Sequence, residues 1–376
     1  MYRGSAHDGI SSETAWSSDW PGEPPVLWEA EVGLGFASFT VVEGRVYTTG
    51  HADEKDAIFC LDAASGEEKW RYAYAADIGA KFYEGGTSAT PTVAGGRVYH
   101  LSRWGDVFCL DAATGSVLWS RNLVKDHGFV IPDWGFAGSP LVQGDRVFLN
   151  VGSGGVALNA ADGTDVWISG KEEAAGYSTP YPVDLAGTAA LILSTDRSYT
   201  AVERDTGKPL WQIEWKTRYG VNAADPIVHE ERLFLSSGYN KGCALFQLHG
   251  TSQPEPVWEN KELRNQFSSS ILLGGRLFGI HDDYDKRPAL RCLDWATGAV
   301  LWEEKAIGFG ALSAAGDRLI VQTQKGELVI VKAAAEYDEL ARAQVLAGRC
   351  WTTPVLSDGR LLVRNAEGTV KCLNLQ

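Results

Sequence analysis

One recurring phrase constrains this chain more than anything else in it. Phe59-Cys60-Leu61-Asp62-Ala63-Ala64-Ser65-Gly66 leads to Trp70, and Phe108-Cys109-Leu110-Asp111-Ala112-Ala113-Thr114-Gly115 leads to Trp119. Further copies surround Asn159-Ala160-Ala161-Asp162-Gly163 with Trp167, Asp205-Thr206-Gly207 with Trp211, and Asp294-Trp295-Ala296-Thr297-Gly298 with Trp302. A degraded copy, Leu248-His249-Gly250, reaches Trp258 through a longer loop. A second phrase precedes each first one, as in Gly44-Arg45-Val46-Tyr47, Gly96-Arg97-Val98-Tyr99 and Gly275-Arg276-Leu277-Phe278. Small residues and proline come before that, as in Thr90-Pro91-Thr92-Val93 and Gly138-Ser139-Pro140-Leu141.

Each unit therefore predicts four short strands. The turn before the last strand needs a positive φ, which glycine alone adopts freely, and the Asp and Thr beside it hydrogen-bond local backbone. The fourth-strand marks fall at Trp28, Trp70, Trp119, Trp167, Trp211, Trp258 and Trp302, with Val345 expected to stand in for an eighth. Their intervals of 42, 49, 48, 44, 47, 44 and 43 residues match the period of four-stranded propeller blades. The predicted fold is all-β: an eight-bladed β-propeller with four-stranded antiparallel blades, one domain over residues 1–376. Cys350 to Gln376 holds only three strands, and Trp28 has none before it. The strand at 26–32 is thus expected to close the last blade behind an N-terminal extension, residues 1–25. Lys332–Leu346, rich in helix formers, reads as a short helical turn.

The formal net charge of −14 repels phosphate backbones and anionic lipid, so nucleic-acid partners are excluded. No stretch is apolar enough to span a membrane. Six cysteines form no CxxC pattern; Cys60, Cys109, Cys292 and Cys372 share one repeat position and read as free buried thiols. Cys243 and Cys350 lie off that position and cannot be paired from sequence. The periodic indoles read as structural, packing between blades.

The Asp/Asn-Ala-x-Thr-Gly-x-x-x-Trp core resembles the tryptophan-docking repeat of pyrroloquinoline-quinone enzymes and their cofactor-free relatives. Compact size and an uninterrupted series of repeats make the chain similar to the BamB-type outer-membrane assembly proteins. The opening Arg3-Gly4-Ser5-Ala6-His7-Asp8-Gly9 resembles a phrase that follows a removed leader in such proteins. The resemblance implies a periplasmic or extracellular, monomeric, non-catalytic scaffold for a protein partner. Two alternatives stay open: a propeller binding a glycan or small polar ligand, and a quinone-dependent alcohol or sugar dehydrogenase. The latter implies PQQ and calcium; the first two need no cofactor.

Candidate ligand residues are those that loops of one propeller face would present: Arg103, Trp104, Asp133, Trp134, Tyr177, Arg197, Arg218, Tyr219, Tyr239, His281, Asp283 and Trp351. Aromatic faces stack on a polar ligand while charges orient it. Lys81-Phe82-Tyr83-Glu84 and Arg349 belong to the same loops. His281-Asp282-Asp283 with Asp285 is the densest acidic stretch, but its spacing matches no calcium loop. No nucleophile elbow, P-loop or dinucleotide fingerprint occurs.

Overall fold

The computed structural model describes residues 1–282 and 287–376. Blade one shows how a repeat becomes a sheet. Its strands, Thr40–Val42, Arg45–Ala52, Lys55–Asp62 and Glu68–Ala75, pair antiparallel in chain order. Glu43-Gly44 and Asp53-Glu54 carry positive φ at both positions, as two-residue hairpins twisted with their strands require. At the third turn Asp62 accepts hydrogen bonds from the N–H groups of Ala64 and Ser65, and Gly66 takes φ +74°.

Across this sheet Thr40, Tyr47, Cys60 and Trp70 stand opposite one another in a row. The Tyr47 and Trp70 rings come within 5.9 Å over the cysteine. Blades two and six repeat the row as Tyr99, Cys109, Trp119 and Phe278, Cys292, Trp302. The middle position takes a small cysteine in these rows, while in blade five Leu245 fills it with the Phe234 and Trp258 rings still 6.0 Å apart. Indoles also reach the next blade: the N–H of Trp28, Trp119, Trp167 and Trp302 donates to the carbonyl of Ala63, Ala160, Arg204 and Ala334. A Cβ on Gly66, Gly163 or Gly207 would fall 2.5–2.6 Å from the indole lying on that turn. The turn glycine therefore has a steric reason besides its φ. Trp211 faces the degraded turn, and its buried N–H meets no acceptor among the described residues.

Among the described residues eight such sheets form, and the fold is an eight-bladed β-propeller. Residues 92–269 form one compact unit with blades two to five; residues 1–91 and 270–376 form another with blades one, six, seven and eight. In blade eight Val26–Glu31 pairs antiparallel with Thr369–Asn374, placing Trp28 opposite Cys372, so the closing strand is N-terminal as expected. The extension before it is structured. Ile10–Ser11 pairs parallel with Ala314 and Ala315, adding a fifth strand to blade seven.

Blade seven corrects two expectations. The segment read as a helical turn contains the strand Glu339–Gln344, paired along Glu327–Lys332. The open edge of that strand leaves N–H and C=O groups that a helix could not satisfy, and this outweighs helix propensity. The indole's place in the row belongs to Ala341, opposite Ile330, not to Val345.

An indole arrives there from elsewhere. Trp16 of the extension is buried with Ile320, Ile330, Leu361 and Leu373, and Ala341 packs against the same cluster. In other blades the arginine opening the second strand donates to the next blade's turn: Arg97 to Ala160, Arg146 to Asp205, Arg360 to Ala63. Blade eight has no such turn, because its fourth strand enters from the N-terminal side. Arg318 accordingly donates to the Trp16 carbonyl and lies 5.0 Å from its ring. Ser17 N–H donates to Leu375 O, while the Glu13 carboxylate accepts from the N–H groups of Asp358 and Gly359. The stretch from Glu13 to Ser17 thus replaces both the missing turn and the missing tryptophan.

Candidate functional site

The sequence-predicted residues fall into separate clusters. In the unit of blades two to five, Ser102-Arg103-Trp104-Gly105 is a tight connector between second and third strands. Arg103 is 4% exposed and donates to the Trp134 carbonyl at 3.1 Å, with its guanidinium 5.6 Å from the Trp104 ring. Trp134 N–H donates to the Tyr177 hydroxyl, and the two rings meet edge-on at 6.2 Å. Arg103 is therefore engaged with backbone and holds the Trp134 loop; Asp133 is exposed at its tip.

A second cluster in the same unit joins Arg218, Tyr219 and Tyr239. The phenol rings are 5.1 Å apart edge-on, and Arg218 lies 5.2 Å from Tyr219. Gln266 donates to the Tyr239 hydroxyl. Arg197 pairs with Asp196 at 3.2 Å, and Gly220 packs against Asp196 because no Cβ intervenes. Half-exposed Tyr219 with the Arg218 guanidinium beside it has the chemistry to take a flat polar ligand.

Trp351 lies in the other unit, in a row of four rings that neither spacing nor charge announced. Phe309, Trp351, Phe36 and Tyr83 come from four consecutive linkers between blades. Their centroids are separated by 6.2 Å, 5.3 Å and 5.5 Å. Arg349 lies 4.4 Å from the Trp351 ring and pairs with Glu84 at 2.6 Å; the indole N–H donates to Gln324. Phe36 and Phe309 escaped the sequence reading because nothing polar flanks them. The available signal was the Gly-Phe pair ahead of a first strand: Gly35-Phe36, Gly135-Phe136 and Gly308-Phe309.

His281 ends a second strand, Arg276–His281, and is 2% exposed, with Asp282 buried beside it. Asp283, Tyr284 and Asp285 lie outside the described residues.

A quinone with its calcium would need converging carboxylate and amide oxygens. Among the described residues no three His, Cys, Asp or Glu side chains converge, and all six cysteines are free and buried at dispersed positions. No step is derived through that group. No helix among the described residues is long and apolar enough to cross a membrane.

The chain matches known proteins along its length. It resembles the structure of BamB from Moraxella catarrhalis at 17% identity and TM-score 0.66, over 93% of this chain and 98% of that one. It also resembles quinohemoprotein alcohol dehydrogenase from Comamonas testosteroni at 15% identity and TM-score 0.72, over 98% of this chain and 78% of that one. A europium-containing methanol dehydrogenase aligns at 14% identity and TM-score 0.69, over 95% and 88% of the two chains. At these identities the likeness establishes the fold, which scaffold and enzyme share. No curated protein matches the sequence. The family described as outer membrane protein assembly factor BamB matches residues 5–101, 80–304 and 286–376, and the chain belongs to that family.

Proposed function

We propose that this protein is a non-catalytic propeller scaffold that holds protein partners in the cell envelope. One observation carries the reading: the assembly-factor family matches from residue 5 to residue 376, so the whole chain is accounted for by the repeat of that family. Two features of the surface support it. Two of the arginines that the loops offer are engaged in holding those loops: Arg103 holds Trp134 and Arg349 holds Glu84. Beside Arg349 the partly exposed rings of Trp351, Phe36 and Tyr83 form one ordered row, the kind of rigid aromatic surface that partner proteins use as anchors.

The test is fractionation of cells producing the full chain, followed by native electrophoresis of a mild-detergent extract. The scaffold reading expects the protein in the envelope fraction, migrating well above its 40.7 kDa mass. Recovery as a free monomer in the cytoplasmic fraction would overturn it.

A further inference from the structure

The loop between blades one and two presents one side chain unlike any other large apolar group described. Phe82 is 92% exposed, whereas the next most exposed, Val130, is at 60%. Its φ of +66° lies in the left-handed region, where a bulky side chain is strained. Both solvation and backbone energy oppose this arrangement in the free protein. The surroundings nevertheless hold it. Tyr83 packs on Phe36, Glu84 is tied to Arg349, and Gly85 and Gly86 leave no room for a Cβ against the Ile78 and Leu34 carbonyls. The loop stem is thus fixed to the aromatic row while its tip projects a phenyl ring outward.

We infer that Phe82 is an anchor side chain, seated in a concave apolar pocket of a partner protein, with the row Tyr83–Phe36–Trp351 as the platform beside it. The inference rests on the scaffold reading and names its docking surface. A projecting knob requires a pocket, so the partner surface is concave. Charges along the loop and its tie, Asp77, Lys81, Glu84 and Arg349, cancel, so the pocket is uncharged. A lipid surface fits less well, because a single ring inserts little apolar area and the chain's net charge of −14 repels anionic headgroups. Anchors of this kind carry a large share of an interface's binding energy.

The native cysteines are buried, so a thiol introduced at the exposed neighbour reports on the patch alone. Lys81→Cys is labelled with a maleimide reagent in intact cells and after purification, with and without Phe82→Ser. Val130→Cys, in the other unit, serves as the control. The proposal expects the thiol at position 81 to be shielded in cells and exposed when purified. The control thiol at position 130 should label equally in both, and Phe82→Ser should abolish the shielding. Phe82→Ser is also expected to weaken the complex by roughly thirtyfold. Labelling of Lys81→Cys in cells at the purified rate overturns the proposal. Shielding of both introduced thiols, or shielding indifferent to Phe82→Ser, overturns it as well. Release by lipid extraction that leaves the native complex intact assigns the patch to a membrane and likewise sinks the protein pocket. Native electrophoresis separates the two readings: a complex that forms regardless of Phe82 spares the scaffold and removes only this surface, whereas no complex removes both.

Discussion

Cys60, Cys109, Cys292 and Cys372 each stand between an indole and the second-strand residue opposite, and their chemistry is suppressed by that position. Burial pushes the thiols of Cys292 and Cys372 up to about 12 and 11, so they serve as small apolar spacers and not as nucleophiles. His100 is more consequential. It follows Tyr99 on blade two, is 2% exposed, and burial lowers its pKa from 6.5 to about 3. The unfolded chain then binds a proton that the folded chain refuses, so stability is full above pH 6.5 and falls by about 1.4 kcal/mol per unit below it. Urea titrations at pH 7 and pH 5 should show a loss of about 2 kcal/mol from this group, absent in His100→Gln. An identical loss in the variant would refute the assignment. The indoles and thiols were legible because their spacing repeats. The burial of Arg103 was not, since it looks like a loop polar and the Trp134 carbonyl that it holds lies 31 residues away in the chain.

At the scale of elements, blade seven shows what fills a gap in a repeat. Ala341 and Ile330 invert the usual small-middle, large-outer order of the row, and Trp16 enters from the extension with Arg318 across its face. Trp16→Ala should therefore cost about 3–5 kcal/mol, as truncation of a large core aromatic does. Trp20→Ala, only partly buried beside the same cluster, should cost clearly less. Equal denaturation midpoints for Trp16→Ala and the parent protein would show that the indole does not hold this seam. The sequence reading missed the substitution for a physical reason: Trp16 lies outside the period, and long-range contacts of the extension, the pairing of Ile10–Ser11 with blade seven and the Ser17 bond to Leu375 among them, bring it there.

Over the whole molecule the important junction is between blade eight and blade one. Val26–Glu31 covers the edge of Thr369–Asn374, and Trp28 bonds across to Ala63. Arg364, fully buried, donates to the carbonyls of Gly33, Ala37 and Thr49, and burial lowers its guanidinium to about 9. A chain beginning at Val32 would keep these arginine bonds but expose the Thr369–Asn374 edge to other molecules. It should elute as associated species by light scattering and lose its sharp thermal transition. A monodisperse truncated protein with unchanged melting would contradict this role.

Local pattern determined the number of blades and the four-strand order, because each depends on residues a few positions apart: a glycine at a turn, an indole one turn later; the closing strand followed by counting, since the last repeat holds three strands and the first indole has none before it. Tertiary structure alone decided which residues share a surface. Phe309, Trp351, Phe36 and Tyr83 are far apart in the chain, yet successive blades set their linkers side by side. Periodicity carries no record of that juxtaposition, since contact between linkers depends on how blades pack and not on how any one of them is written.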